Sequence, residues 1–333
     1  MHPMSIAAFG SYLPPEVITP DPLAAENDPM ATSPLFRLPD ERHRIAPSQR
    51  AAQMVEAAAR PMFERLGLDP AGSVDLIITN TLLPDECITG CGAETAHLLG
   101  CDPALVLDLH NGGCGAFPYM LKIARAMIAA GEANNILLAN VQNTAGQLFA
   151  QPELSRKQSA AIAGDGCGVA YVTADDRSPV LGVHVRNTPS FAPDMSPATG
   201  DGRKYWAAGS GELEIVFDSN KSKEIIDRGN RLVPEVVGEL CKEIDLDLGA
   251  VDYLVTNQPN RLFLRNWRRA LGLGADQHLD TFDRCGNLYG AAVPVTLDLA
   301  IREGRIADGS LVVMAGFAHA GDFAAAAAVR WNN

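Results

Sequence analysis

One strand of this chain is written twice. VDLIITN at residues 74–80 returns as VDYLVTN at 251–257, an offset of 177. The stretch AMIAAGEANNILLAN (126–140) has a counterpart in LAIREGRIADGSLVVMAG (299–316), where Gly131 pairs with Gly304 at an offset of 173. Two matches in the same order at nearly the same offset mark a duplication. The halves, 1–174 and 175–333, meet at the polar run ADDRS. Each alternates short apolar runs with helical patterns, so the fold class is α/β, and the two sheets should pack around shared buried helices.

The most chemically loaded stretch is 104–131. Ala104 to Leu109 has the length and composition of a buried strand, Asn111-Gly112-Gly113 is a tight turn, and Cys114 follows it. Then Phe117, Met120, Leu121, Ala124, Met127 and Ile128 recur at three- and four-residue spacing, with Pro118 in the first helical turn, where proline costs no hydrogen bond. This helix should be buried on nearly all sides. Cys114 thus sits at a helix N-terminus, where free N–H groups and the helix dipole stabilise a thiolate and a neighbouring oxyanion. The bland alternative, a cysteine acting as a small buried hydrophobe, is weakened by the glycine-rich strand-to-helix turn.

Duplication makes positions comparable. Cys114 advanced by 173 gives Asn287, in the glycine-rich run RCGNLYGAAVP, and Asn80 advanced by 177 gives Asn257 at a strand end. Equivalent turns of a pseudo-twofold protein converge near its axis, so Cys114, Asn257 and Asn287 should face one pocket. The turn FAHAG (317–321) can reach the same place and brings His319. Asp108 and Asp165 read as structural carboxylates bonding turn amides.

Several classes are excluded. A formal net charge of −13 disfavours nucleic-acid backbones as partners. The 7 cysteines show no repeated spacing, and Cys87-x3-Cys91 with His97 lacks a second pair to complete a zinc site. The opening MHPMSIAAFGSYLPPE has no basic n-region, and no apolar run nears the roughly 18 residues of a membrane span, so a cytoplasmic protein is expected.

With these residues assembled, the chain resembles the thiolase-fold condensing enzymes, most closely the ketoacyl-acyl-carrier-protein synthase III group. FGSYLP (9–14), DERHRIA (40–46), AGDGCGVAYV (163–172), NQPN (257–260), GN (286–287) and the ending FAHAGDFAAAAAVRW carry the resemblance over nearly the whole length. It implies two βαβαβαββ-type halves packed in five layers. It implies Cys114 as the acyl-accepting nucleophile and Asn287 as a carbonyl-polarising amide. Asn257 stands where the family has histidine in its HQAN motif. An amide can donate a hydrogen bond but takes no proton near neutral pH, so either the helix N-terminus suffices to activate the thiol or another base acts, and His319 is the candidate for that base. A degradative thiolase is disfavoured, because the loop holding His319 lacks that group's second cysteine.

The run RLFLRNWRRALGL places Arg261, Arg265, Arg268 and Arg269 within nine residues of an otherwise acidic chain. Such a face suits an acidic acyl-carrier protein or the phosphates of coenzyme A. The resemblance implies acyl-carrier-protein or coenzyme A thioesters as substrates and no other cofactor or metal. Ile88, Phe149, Phe191, Trp206 and Tyr289 are candidate pocket residues by spacing. A homodimer is expected, with Ile136 to Val141 as a candidate unpaired edge. The reading is therefore acyl transfer through an acyl-Cys114 thioester to a malonyl-type thioester or to a hydroxyl or amine. The rival is a non-catalytic partner subunit of a condensing-enzyme heterodimer.

Overall fold

The computed structural model describes residues 3–20, 37–85, 88–102, 104–204, 207–209 and 211–332. The first half runs β1 (Ser5–Tyr12), a small ribbon of β2 (Glu16–Ile18) and β3 (Arg42–Arg44), α1 (Ala51–Leu66), β4 (Leu76–Thr81), α2 (Gly92–Leu99), β5 (Leu105–Leu109), α3 (Ala116–Ala130), β6 (Asn135–Gln142) and β7 (Gly166–Thr173). The second runs β8 (Val180–Asn187), a ribbon of β9 (Met195–Thr199) and β10 (Leu213–Phe217), α4 (Ser222–Glu243), β11 (Tyr253–Thr256), α5 (Arg261–Ala270), β12 (His278–Leu279), α6 (Ala292–Arg302), β13 (Leu311–Ala318) and β14 (Phe323–Arg330). Without the ribbons and the shorter helices, each half is βαβαβαββ.

The sheets repeat as well. Strand order is β1-β7-β6-β4-β5 in one and β8-β14-β13-β11-β12 in the other. Corresponding pairs have the same sense: β1·β7 and β8·β14 are antiparallel, β4·β6 and β11·β13 parallel.

Side-chain alternation along the strands builds the layers. Leu76 and Ile78 of β4 face a central core with Leu138 and Val172, while Ile77, Leu137 and Tyr171 face α1 and α2 on the outside. The central core is filled by α3 (Phe117, Met120, Leu121) and α6 (Val293, Leu297), sandwiched between the two sheets. On the far side, Leu254, Val313 and Ala326 pack under α4 and α5. The result is five layers: helices, sheet, helices, sheet, helices.

The details correct three expectations. Helix α3 keeps an exposed face at Lys122, Ala126, Ala129 and Ala130, so α6, buried from Ala292 through Asp298, is the more enclosed of the pair. Strand β5 is not buried but forms the sheet edge, with Leu105 50% and Leu107 40% exposed. Conversely, Ile136 to Val141 is no edge: β6 lies between β7 and β4, and its apolar run is buried because both faces are covered.

Candidate active site

The chain leaves β5, makes a single tight turn at Gly113–Gly115 and enters α3, which sets Cys114 at the start of the helix. Gly113 is left-handed, at φ 47°, and a Cβ there would stand 2.7 Å from the Ala318 Cβ. Only glycine lets the thiol turn approach the end of β13 this closely. Cys114 is half-buried and opens on a cavity of about 560 Å³ walled by Leu148, Phe149, Ile162, Ile215, Ile226 and Phe317 among others. Burial pushes its thiol up to about 12, against an opposing hydrogen bond from the Asn257 side chain. Burial thus favours the neutral thiol and opposes the thiolate that the helix N-terminus was expected to stabilise.

The second half brings three loops to the same cavity. Asn257, at the end of β11, donates its backbone N–H to Ala315 O at 3.2 Å and is buried. Its side-chain bond to Cys114 leaves Oδ1 without a partner. Asn287 is clamped by its own backbone: its N–H donates to Ile162 O at 2.7 Å, and its carbonyl accepts from the Gly164 N–H at 3.1 Å. Its Oδ1 accepts from the Tyr289 N–H at 3.0 Å, which turns the two N–H bonds of the amide toward the cavity that Asn287 lines. The turn ending β13 carries His319 in a left-handed conformation, φ 55°, with Nδ1 2.9 Å from Asp322 Oδ1. The ring lines the cavity, and Nε2 lies 3.1 Å from where a Cβ on Gly113 would stand.

Cys114, Asn257, Asn287 and His319 thus share one cavity, as do Phe149 and Tyr289. Burial pushes the Tyr289 phenol up, so it remains a neutral O–H. Two of the remaining pocket expectations, Ile88 and Phe191, fail. Ile88 is 95% exposed and lies off the cavity. Phe191 also lies off it, its ring beneath the Arg228 guanidinium at 3.5 Å. Trp206 falls outside the described residues. The β9–β10 ribbon supplies wall residues that the sequence reading did not single out, Met195 and Ile215. The alternation in ELEIVFD (212–218) was the signal for it. Asp322 was also missed, although its spacing of three from His319 was visible.

The arginine face divides. Arg261 is committed to Asp280, at 2.9 Å, and to Asp283, so it is an internal tie rather than a docking group. Arg265 and Arg269 are exposed and Arg268 half-buried, and none of the three has an ion pair among the described residues. Helix α5, which carries them, begins beside the cavity, since Pro259 and Phe263 line it. Asp165 is structural, accepting from the N–H groups of Ile45, Ala145 and Gly146 at 2.7–3.0 Å. Burial outweighs these donors and raises it to about 6. Asp108 accepts from the Gly92 N–H at 2.9 Å. Among the described residues no group of three or more His, Cys, Asp or Glu side chains is placed to hold a metal ion.

Comparison with known proteins agrees with this geometry. Family models described as 3-oxoacyl-(acyl-carrier-protein) synthase III and its C-terminal part match residues 107–189 and 241–331, together just over half of the chain. The β-ketoacyl-(acyl-carrier-protein) synthase III of Sphingopyxis alaskensis is 28% identical over 273 residues, 82% of each chain. The enzyme of that name from Xanthomonas oryzae pv. oryzae is 27% identical over 313 residues, 94% of each. The crystal structure of 3-oxoacyl-(acyl carrier protein) synthase III from Pseudomonas aeruginosa superposes with a TM-score of 0.83 over 99% of both chains at 23% identity, which identifies the fold as thiolase-like.

Proposed function

We infer that this chain, which belongs to the 3-oxoacyl-(acyl-carrier-protein) synthase III family, is a thiolase-fold acyltransferase working through a thioester on Cys114. The observation that carries the reading is the thiol on its turn, opening on an apolar cavity with two side-chain amides beside it. The Cys114 sulfur attacks the carbonyl carbon of an acyl thioester. The new C–S bond forms, the old one breaks, and His319 takes the thiol proton and returns it to the departing carrier thiol. Asn257 and Asn287 donate N–H groups to the oxygen that gains negative charge. The apolar walls take the acyl chain, which then passes to the second substrate.

The donor's carrier is an acyl-carrier protein or coenzyme A. Arg265, Arg268 and Arg269 support docking of an acidic carrier at the edge of the cavity. The protein works as a homodimer, and the exposed β5 edge is the candidate contact. The family histidine's replacement by Asn257 removes one proton-accepting group, and the His319 ring supports a base approaching from the opposite loop. A non-catalytic partner subunit is disfavoured by the retained thiol and its open cavity.

The test is the intact mass of the protein after incubation with a panel of acyl thioesters. The wild type should gain the mass of the acyl group. Cys114→Ala should gain nothing and keep its fold, since alanine on this turn leaves little void. Equal labelling of both proteins would remove Cys114 from the reaction.

A further inference from the structure

We propose that Asp322 is a positioning residue for this site: its carboxylate fixes the His319 ring with Nε2 toward the Cys114 turn and stabilises the imidazolium formed when the thiol proton is taken. The proposal rests on His319 being the base, and it adds the group through which that base is set. A carboxylate only accepts hydrogen bonds, so the 2.9 Å contact with Asp322 Oδ1 places the ring proton on Nδ1 and leaves the lone pair on Nε2. Nε2 is the nitrogen that faces the thiol turn, 3.1 Å from the position a Gly113 Cβ would occupy.

The backbone around the pair is held for this geometry. His319 has φ 55°, a conformation a non-glycine residue keeps only where its surroundings enforce it. The Gly321 N–H donates to Ala318 O at 2.9 Å, closing the turn between β13 and β14. The guanidinium of Arg228 donates to Ala320 O at 2.6 Å, and the Asp322 carbonyl accepts from the Thr188 N–H. Arg228 is itself paired with the buried Asp194 at 3.0 Å, and Asp322 is the carboxylate bonded to the ring. A nucleophile on one half of the duplicated fold is thereby matched by an oriented base on the other.

The experiment measures the second-order rate of Cys114 alkylation by iodoacetamide across pH 6–10, read by peptide mass so that acyl specificity does not enter. It compares wild type, His319→Ala, Asp322→Asn, Asp322→Glu and the double variant His319→Ala with Asp322→Asn. We expect His319→Ala to slow alkylation at pH 7.5 roughly a hundredfold and Asp322→Asn roughly tenfold or more. Asp322→Asn should act only through the ring that its carboxylate holds. It should cost nothing further once His319 is gone, and Asp322→Glu, which keeps the charge, should retain most of the rate. An unchanged rate in Asp322→Asn with a slow His319→Ala overturns the role of Asp322 and leaves the base standing. An unchanged rate in His319→Ala overturns the base and this proposal with it. An equal loss from Asp322→Asn with and without His319 makes Asp322 a loop tie only.

Discussion

The turn entering α3 and the turn entering α6 are the same piece of backbone put to opposite uses. Each is one tight turn that runs directly into its helix: Gly113–Gly115 before Ala116, and Tyr289–Ala291 before Ala292. Gly113 has φ 47° and Tyr289 φ 48°, which fixes their equivalence at an offset of 176. On that register the counterpart of Cys114 is Gly290, and the counterpart of Asn287 is Asn111. The two turns meet: a Cβ on Gly290 would stand 2.7 Å from Gly113 O. One copy carries the nucleophile, and the other gives up its side chain to let it in. Duplication preserved the backbone while the chemistry was divided between the halves.

If His319 is the base, as proposed above, the first half does not activate its own thiol, and the largest predicted effect tests this. Burial pushes Cys114 up to about 12, so without His319 only the small thiolate fraction reacts. In His319→Ala the alkylation rate should rise about tenfold per pH unit from 7 to 10, roughly a thousandfold overall and with no plateau, because the thiolate fraction grows tenfold per unit below its pKa. The wild type should level off well before pH 10. A plateau near neutrality in the variant would show that the helix N-terminus suffices.

The next prediction sets Asn287 against Asn111, the same residue at equivalent places. Asn287 lines the cavity with its amide locked by the Tyr289 N–H, whereas Asn111 is exposed. Asn287→Ala should lower acyl transfer by about 10²–10³, the usual loss for one oxyanion donor. Asn111→Ala should stay within roughly threefold, as a surface change away from the reacting atoms does. Comparable losses in single-turnover rates would mean that the turns matter as scaffolding rather than through what they present.

These contrasts also show where the sequence was legible. The strand repeat was readable because β4 and β11 are buried on both faces and demand the same apolar string. Cys114 was readable from its glycine turn. Its counterpart was misplaced by three residues, for a physical reason. The interval from the helix start to the capping glycine is three residues shorter at α6, Ala292 to Gly304, than at α3, Ala116 to Gly131. An offset of 173 anchored on the glycines therefore fails when carried back through the helix. It selected Asn287 because that residue precedes the true equivalent by three. Arg261 could not be told from Arg265 in the sequence, since Asp280 and Asp283 reach it only through the fold. Strand order was equally hidden: β5 and β6 are both apolar, and only the crossover through α3 decides which becomes the edge.

The edges supply the last comparison and the smallest expected effect on the chemistry. In the second sheet the edge strand β12 is only His278–Leu279, and both residues are buried. His278 is held between the Thr256 hydroxyl at 3.0 Å and Leu264 O at 3.2 Å, and burial lowers it to about 4, so it stays neutral inside the protein. In the first sheet the equivalent edge β5 is five residues long and presents Leu105 and Leu107 to solvent. A long apolar edge is a template for pairing, and a short covered one is not. Leu107→Asp should therefore raise the dimer dissociation constant at least about tenfold, because a symmetric contact places the new charges of both copies together. It should cost the folded monomer less than about 1 kcal/mol, as an exposed substitution does. Reversing charge beside the other edge, Asp276→Lys, should leave the assembly unchanged. Sedimentation at micromolar concentration reads both variants, and a wild type that already sediments as a monomer would show that the exposed leucines of β5 are not a contact between copies.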